Sequence, residues 1–223
     1  IVLGTHGRRG LEHLLLGSTA EEVVRLSSCP VFTIRERKEP SRIEEIDRIL
    51  VPIDFSEHSK HALRYAKQIA KSYDARLQLL HVVEKVIHPP FYAQEYYHGV
   101  ERTESLQQRA KEALRQFLDE TEGPKLSAET HVIEGRAAAD ITVCADGLER
   151  DLIVIATHGL TGIEHLLMGS VTEKVVRRAS CHVFTVTVYG KNLIRRDKSS
   201  HCDTQAEANT DESSHRYSIE STH

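Results

Sequence analysis

Gly159, Gly169 and Ser170 stand at a spacing suited to holding an anion. They belong to the run Ala156-x2-Gly159-x9-Gly169-Ser170, which follows an apolar, strand-like segment and opens a helix-like one. Gly159 has no Cβ, so the backbone there can turn tightly and approach a ligand. Gly169, Ser170 and Val171 fall at the helix start, where free N–H groups and the helix dipole favour negative charge. The Ser170 hydroxyl adds a donor, and His158 stands in the same loop, in reach of whatever the loop holds. The chemistry that this pattern points to is the cradling of phosphates. Spaced glycines also serve plain turns and close packing, so the pattern has to be judged by its context.

Two features of the context favour the phosphate reading. The first is Pro52-x-Asp54, which ends another apolar run. In an open parallel sheet this carboxylate lies at the same edge as the glycine loop, where ligands bind. There Asp54 can take part in recognising a nucleoside, or it can serve only to cap a loop or helix. The second is repetition. Residues 5–36 and 157–188 align without a gap, with 19 of 32 positions identical, and the first copy reads Gly4-x2-Gly7-x9-Gly17-Ser18. The period of 152 residues is one domain length rather than a short solenoid repeat.

The elements that position these residues are legible from periodicity. Short β-rich apolar runs predict strands at 48–53, 76–83, 126–134, 151–156 and 182–188. Helical spacing predicts a helix from the cap at Ser56 to about residue 73, with Ala62, Tyr65, Ala66, Ile69 and Ala70 inward. A long helix is predicted over 101–121, with Leu106, Ala110, Ala113, Leu114 and Phe117 on one stripe, and shorter ones over 137–147 and 169–179. Residues 87–99 carry Pro89 and Pro90 and read as a loop. Alternation of strand and helix implies parallel pairing with right-handed crossovers, and continuous apolar strands imply burial on both faces. The expected fold is α/β, a Rossmann-like doubly wound sheet of five parallel strands.

The first copy supplies only the tail of such a unit: a strand at 1–4, a helix at 17–28 and a strand at 31–35. Residues 1–37 are therefore read as a partial domain, 38–47 as a charged linker, 48–190 as a complete domain and 191–223 as a polar, disordered tail. The chain opens at Ile1 rather than at Met, inside a strand-like run, which reads as a fragment or a processed end. The final strand would be a sheet edge, and exposed edges invite pairing. Residues 31–35 are its natural partner within the chain, giving a pseudo-two-fold arrangement. The partial copy lacks strands to hold a base, so Gly4 to Ser18 is not expected to form a site of its own.

The runs VPIDFSEHSKHALRYA, LLHVVE and DLIVIATHGLTGIEHLLMGSVTEKVVRRASCHVFTV resemble the universal stress protein family. The likeness is to its ATP-binding branch, whose fingerprint is G-x2-G-x9-G-[ST]. It covers residues 48–188 in full and 1–37 as the end of a preceding sister domain. The resemblance implies ATP as ligand, with magnesium as a possible companion, and a role in regulation of the stress response. It places Asp54 and the backbone at Val82 at the adenine and ribose, with Pro52 also among the nucleotide-binding residues. It places Ile155, Ala156, His158 and Gly159 by the ribose and phosphates, and Gly169, Ser170 and Val171 on the phosphates. Family members dimerise through the last strand, so a homo-oligomer or the intramolecular equivalent is expected. One position departs from the pattern: Ala156 stands where the first motif glycine belongs. An alanine is tolerated there if its backbone is ordinary strand and strained if φ is positive.

Composition narrows the alternatives. A net charge of −4 offers no polyanion footprint, so nucleic acid is not an expected partner. No apolar run approaches the roughly 20 residues of a membrane helix. Cys29, Cys144, Cys181 and Cys202 form no C-x-x-C pair and read as reduced thiols, consistent with a cytoplasmic protein. Cys29 and Cys181 are equivalent in the two copies and read as small buried hydrophobes. His165, like its equivalent His13, reads as a surface residue, and the histidines of the tail as solvated. No catalytic residue and no metal ligand set is assigned. A slow ATPase and an interaction module without nucleotide are the competing readings, and fold alone does not decide among them.

Overall fold

The computed structural model describes residues 1–4, 17–35, 46–84, 100–147, 151–159 and 168–187. Seven strands and five helices are present in these segments. They run β1 (Val2–Gly4), α1 (Ser18–Leu26), β2 (Val31–Ile34), β3 (Arg48–Pro52), α2 (Glu57–Tyr73), β4 (Arg76–Glu84), α3 (Val100–Glu120), β5 (Ala128–Gly135), α4 (Ala137–Gly147), β6 (Leu152–Ala156), α5 (Ser170–Arg178) and β7 (His182–Val186). The predicted loop at 87–99, residues 38–45 of the predicted linker, residues 5–16 of the first copy's glycine loop and the tail beyond residue 187 lie outside the described residues, as do His13 and His165.

All seven strands join one sheet in the order β1-β2-β7-β6-β3-β4-β5. From β7 to β5 every neighbouring pair is parallel, which is the doubly wound arrangement expected from the alternation of elements. The chain leaves β3 towards β4 and β5, and later returns to β6 and β7 on the other side, so the strand order reverses between β3 and β6. The sheet is larger than five strands because the first copy extends it. Strand β2 pairs antiparallel with β7, and β1 pairs parallel with β2.

Alternation along the strands sorts the core into two layers. Leu50, Leu80, Ile153 and Val183 form one cluster with Ile141 and Ala145 of α4, Val175 and Val176 of α5, and Ala20 and Val24 of α1. Their neighbours Ile49, Val51, Leu79 and Val154 are equally buried and belong to the opposite face. On that face α2 packs against β3, β4, β6 and β7, and α3 packs against β4 and β5.

Helix α2 starts as predicted. Ser56 is its N-cap, and the Ser59 N–H donates to Ser56 Oγ at 3.1 Å. Asp74 closes the helix in the left-handed region at φ 54°, its N–H donating to Ala70 O. Two predicted stripes shift in detail. On α3, Leu106 and Ala113 are exposed while Leu114 and Leu118 are buried; Ala113 lies about 100° round the helix from Leu114, off the stripe that faces β4 and β5. On α2, Ile69 is half-buried and Lys67 is buried instead. The Lys67 ammonium donates to Thr121 O at 2.7 Å and Leu118 O at 3.3 Å, so its charge meets the carbonyl end of α3. Burial lowers the Lys67 pKa from its ordinary value, and Asp119 acts in the other direction. Of the cysteines, Cys181 is buried as expected, but Cys29 and Cys144 are only half-buried.

Candidate functional site

The carboxyl ends of β3, β4 and β6 and the first turns of α4 and α5 enclose a cavity of about 350 Å³. It lies where the strand order reverses, the place at which open α/β sheets bind ligands. Its size falls in the range typical of small-molecule sites.

One wall is the end of β3. Asp54 follows this strand in a turn that two contacts hold. Asp54 Oδ1 accepts from the Ser56 N–H at 3.0 Å and from Ser56 Oγ at 2.5 Å. Between them stands Phe55 at φ 63°, a left-handed backbone that is costly for a bulky residue. Its ring packs on His81 at 4.8 Å and edge-on against Phe117 at 5.6 Å. The His81 Nδ1–H in turn donates to Ile53 O at 2.8 Å. The strained turn is thus braced from β4 and α3, and it presents Asp54 to the cavity.

The facing wall is the glycine loop after β6. Gly159 lies against Asp54: a Cβ built on it would stand 2.5 Å from Asp54 Oδ2. The glycine is needed there for close approach to a carboxylate, because no left-handed φ occurs at Gly159. The Gly169 N–H donates to Thr157 O at 2.8 Å, and a Cβ on Gly169 would come within 3.3 Å of that same oxygen. Thr172 Oγ1 donates to Ala156 O at 2.7 Å. These bonds tie the first turn of α5 to the end of β6. Gly169 is the N-cap of α5 and makes no side-chain cap, so the N–H groups of the first turn have no intrahelical acceptor. They form a ready anion cradle. His158 Nδ1 is 3.0 Å from Thr157 Oγ1, and its ring lies 6.0 Å from that of His58 on α2.

The residues expected from the sequence to contact a nucleotide all line this cavity. Pro52 and Asp54 come from the end of β3, and Val82 from β4. Ile155, Ala156, His158 and Gly159 come from β6 and its loop, and Gly169, Ser170 and Val171 from the start of α5. Ala156 has no positive φ, since Phe55 and Asp74 are the non-glycine residues in that region among those described. The methyl group is therefore accommodated in strand geometry. Sequence reasoning missed His81, Ser59, Glu84 and Thr172, together with Ala137 and Ile141 of α4. A signal for His81 existed, a lone polar residue near the end of the apolar strand run LLHVVE. The α4 residues carried none, because their place in the cavity depends on how the helix packs.

The first copy is comparable only at its rims. Gly17 caps α1 with φ −61° and ψ 143°, close to the −57° and 142° of Gly169. Residues 5–16, the loop between Gly4 and Gly17, lie outside the described residues, and with them the expectation that this copy forms no site. Among the described residues, no group of three His, Cys, Asp or Glu side chains is placed to hold a metal ion. No described helix is long and apolar enough to cross a membrane.

Comparison with known proteins matches this architecture. The model of the universal stress protein family matches residues 1–35 and 45–187. A universal stress protein of Methanocaldococcus jannaschii is 33% identical over 139 residues, which is 62% of this chain and 81% of that protein. One of Thermus aquaticus is 36% identical over 141 residues, 62% of this chain and 96% of the relative. Among solved structures, the universal stress protein UspA of Lactobacillus plantarum has a TM-score of 0.52 at 28% identity, covering 64% of this chain and 98% of its own. A universal stress protein structure from Pseudomonas aeruginosa has a TM-score of 0.60 over 83% of this chain and 62% of that one. At 22% identity it bears on the fold alone.

Proposed function

Because the chain belongs to the universal stress protein family, we propose that its cavity between β3 and β6 is a nucleotide site and that the protein is an ATP-binding regulator of the stress response. Occupancy of the site would bias conformation or assembly through differential affinity for two states. One observation carries this reading: Asp54 and the first turn of α5, with no side-chain cap, face one cavity, with Gly159 fitted against the carboxylate. The carboxylate suits the hydroxyls of a ribose, and the helix start suits phosphates. The apolar lining from Leu80, Val82 and Ile141 suits the flat face of a base.

The residues present fit such a ligand. Any magnesium would be held chiefly by phosphate oxygens and water, as this ion usually is at nucleotide sites. Assembly has a structural counterpart in the β2–β7 pair, which occupies within the chain the edge that family members are expected to use between chains.

The test is to purify the protein, denature it and identify any released nucleotide, then titrate ATP into nucleotide-free protein. Binding that Gly159→Val abolishes, with the fold retained by circular dichroism, is the expected result. Absence of both released nucleotide and measurable ATP affinity would sink the proposal in favour of an interaction module. Hydrolysis that disappears in the same variant would add a slow ATPase activity to the site.

A further inference from the structure

Strand β2 meets β7 with nearly perfect internal symmetry, and this raises a question of partner choice. Val31 pairs with Thr185, Phe32 with Phe184 and Thr33 with Val183. A second copy of the chain would offer the same Val183-Phe184-Thr185 ladder to β7. The ion pair from Arg177 to Glu21 at 2.9 Å does not discriminate either, because the equivalent residues are Arg25 and Glu173. The contacts of the ladder by themselves do not distinguish residues 1–35 from a second chain at the β7 edge, beyond the advantage that covalent tethering gives the former.

The flanks of the ladder break the symmetry. Arg35 is 6% exposed, and its Nη2 donates to Val176 O at 2.9 Å and Arg177 O at 2.5 Å, carbonyls of the last turn of α5. Its backbone N–H donates to His182 Nδ1 at 3.1 Å. The residue equivalent to Arg35 in the second copy is Thr187, and the one equivalent to His182 in the first copy is Pro30. A threonine is too short to bring a cationic donor to a helix C-terminus, and a proline has no ring acceptor. The contacts therefore need the arginine of one copy and the histidine of the other. Two β7 edges facing each other would leave the α5 carbonyls without a guanidinium on both sides. Two β2 strands facing each other would set each Arg35 N–H against a proline.

We propose that Arg35 is the specificity determinant of the β7 edge, selecting residues 1–35 of the same chain over a second copy of the chain. A guanidinium at a helix C-terminus makes charge-assisted hydrogen bonds and complements the helix dipole, which a neutral threonine cannot replace. The selection uses no ligand, so it stands or falls independently of the nucleotide site.

The experiment uses the full chain with a cysteine reporter on the symmetry axis. F184C lies opposite its own equivalent only when two β7 strands pair, so a disulfide between two F184C chains reports that dimer. Cys29, Cys144, Cys181 and Cys202 are replaced by Ser to silence the background. With Arg35 present, mild oxidation should give only traces of F184C dimer, and light scattering should give no dimer through this edge. In the Arg35→Thr background the cross-linked fraction should rise about tenfold, the scale of losing one or two charge-assisted bonds. If Arg35→Thr does not fold, Thr187→Arg serves instead. It gives β7 its own guanidinium and should raise the same cross-link with Arg35 intact. Abundant F184C dimer with Arg35 intact would overturn the proposal. So would an unchanged cross-link in both Arg35→Thr and Thr187→Arg.

Discussion

Phe32 lies directly opposite Phe184 in the antiparallel β2–β7 ladder, with ring centroids 6.1 Å apart, and the two residues are equivalent positions of the sequence repeat. The axis relating the copies therefore passes between these rings. The bonds on either side follow the same symmetry. Thr33 Oγ1 donates to Val183 O at 3.0 Å, and Thr185 Oγ1 donates to Val31 O at 3.3 Å. Both threonines are buried.

Those two hydroxyls are the first target. Thr33→Val and Thr185→Val keep shape and remove a donor. Each should cost about 0.5–1.5 kcal/mol in urea denaturation, the usual net value of a hydrogen bond. Unchanged stability in both variants would mean that the bonds contribute nothing to the strand pair.

The contact between Gly159 and Asp54 makes a sharper prediction. Gly159→Ala places a methyl group 2.5 Å from a carboxylate oxygen whose partner oxygen is pinned to Ser56. Such overpacking should destabilise by about 1–3 kcal/mol. In an Asp54→Ala background the obstruction is gone, so the same substitution should cost far less. A double-mutant cycle on the unfolding free energy reads the difference. Additive costs would mean that the two residues do not meet.

Ala156 tests the departure from the family pattern. Restoring the motif with Ala156→Gly should not tighten nucleotide binding, because the alanine lies within strand β6 and outside the left-handed region. It should lower stability by about 0.5–1 kcal/mol through backbone entropy. Calorimetric titration together with thermal unfolding checks both halves. A clear gain in affinity would show that the methyl group obstructs the site.

Lys67 tests a helix cap supplied from another element. Lys67→Met fills the same volume and removes the donor that meets Thr121 O and Leu118 O. The cost should be about 1–3 kcal/mol, the penalty for buried polar groups left without a partner. A neutral or stabilising result would mean that water reaches the end of α3 and replaces the ammonium.

The order of elements, the doubly wound topology and the line of residues around the cavity were all legible in the sequence, because each is written in local signals. Helical and strand periodicity marks which faces are apolar. The glycine spacing marks a loop between a strand and a helix, and Pro52-x-Asp54 marks the end of a strand. Parallel alternation then brings those ends to one side of the sheet. What the sequence could not disclose depends on neighbours far along the chain. Val2 is 70% exposed while its equivalent Val154 is 0% exposed, because β6 is flanked by β3 and β7 whereas, among the described residues, β1 has a strand on one side only. The same residue type in the same repeat thus meets opposite fates. Lys67 is buried because the end of α3 comes to it, and Arg35 because the end of α5 does. Gly159 is a glycine on account of Asp54, about a hundred residues earlier, and only the packed sheet brings the two together. Periodicity encodes what each segment buries, and tertiary packing chooses what it is buried against.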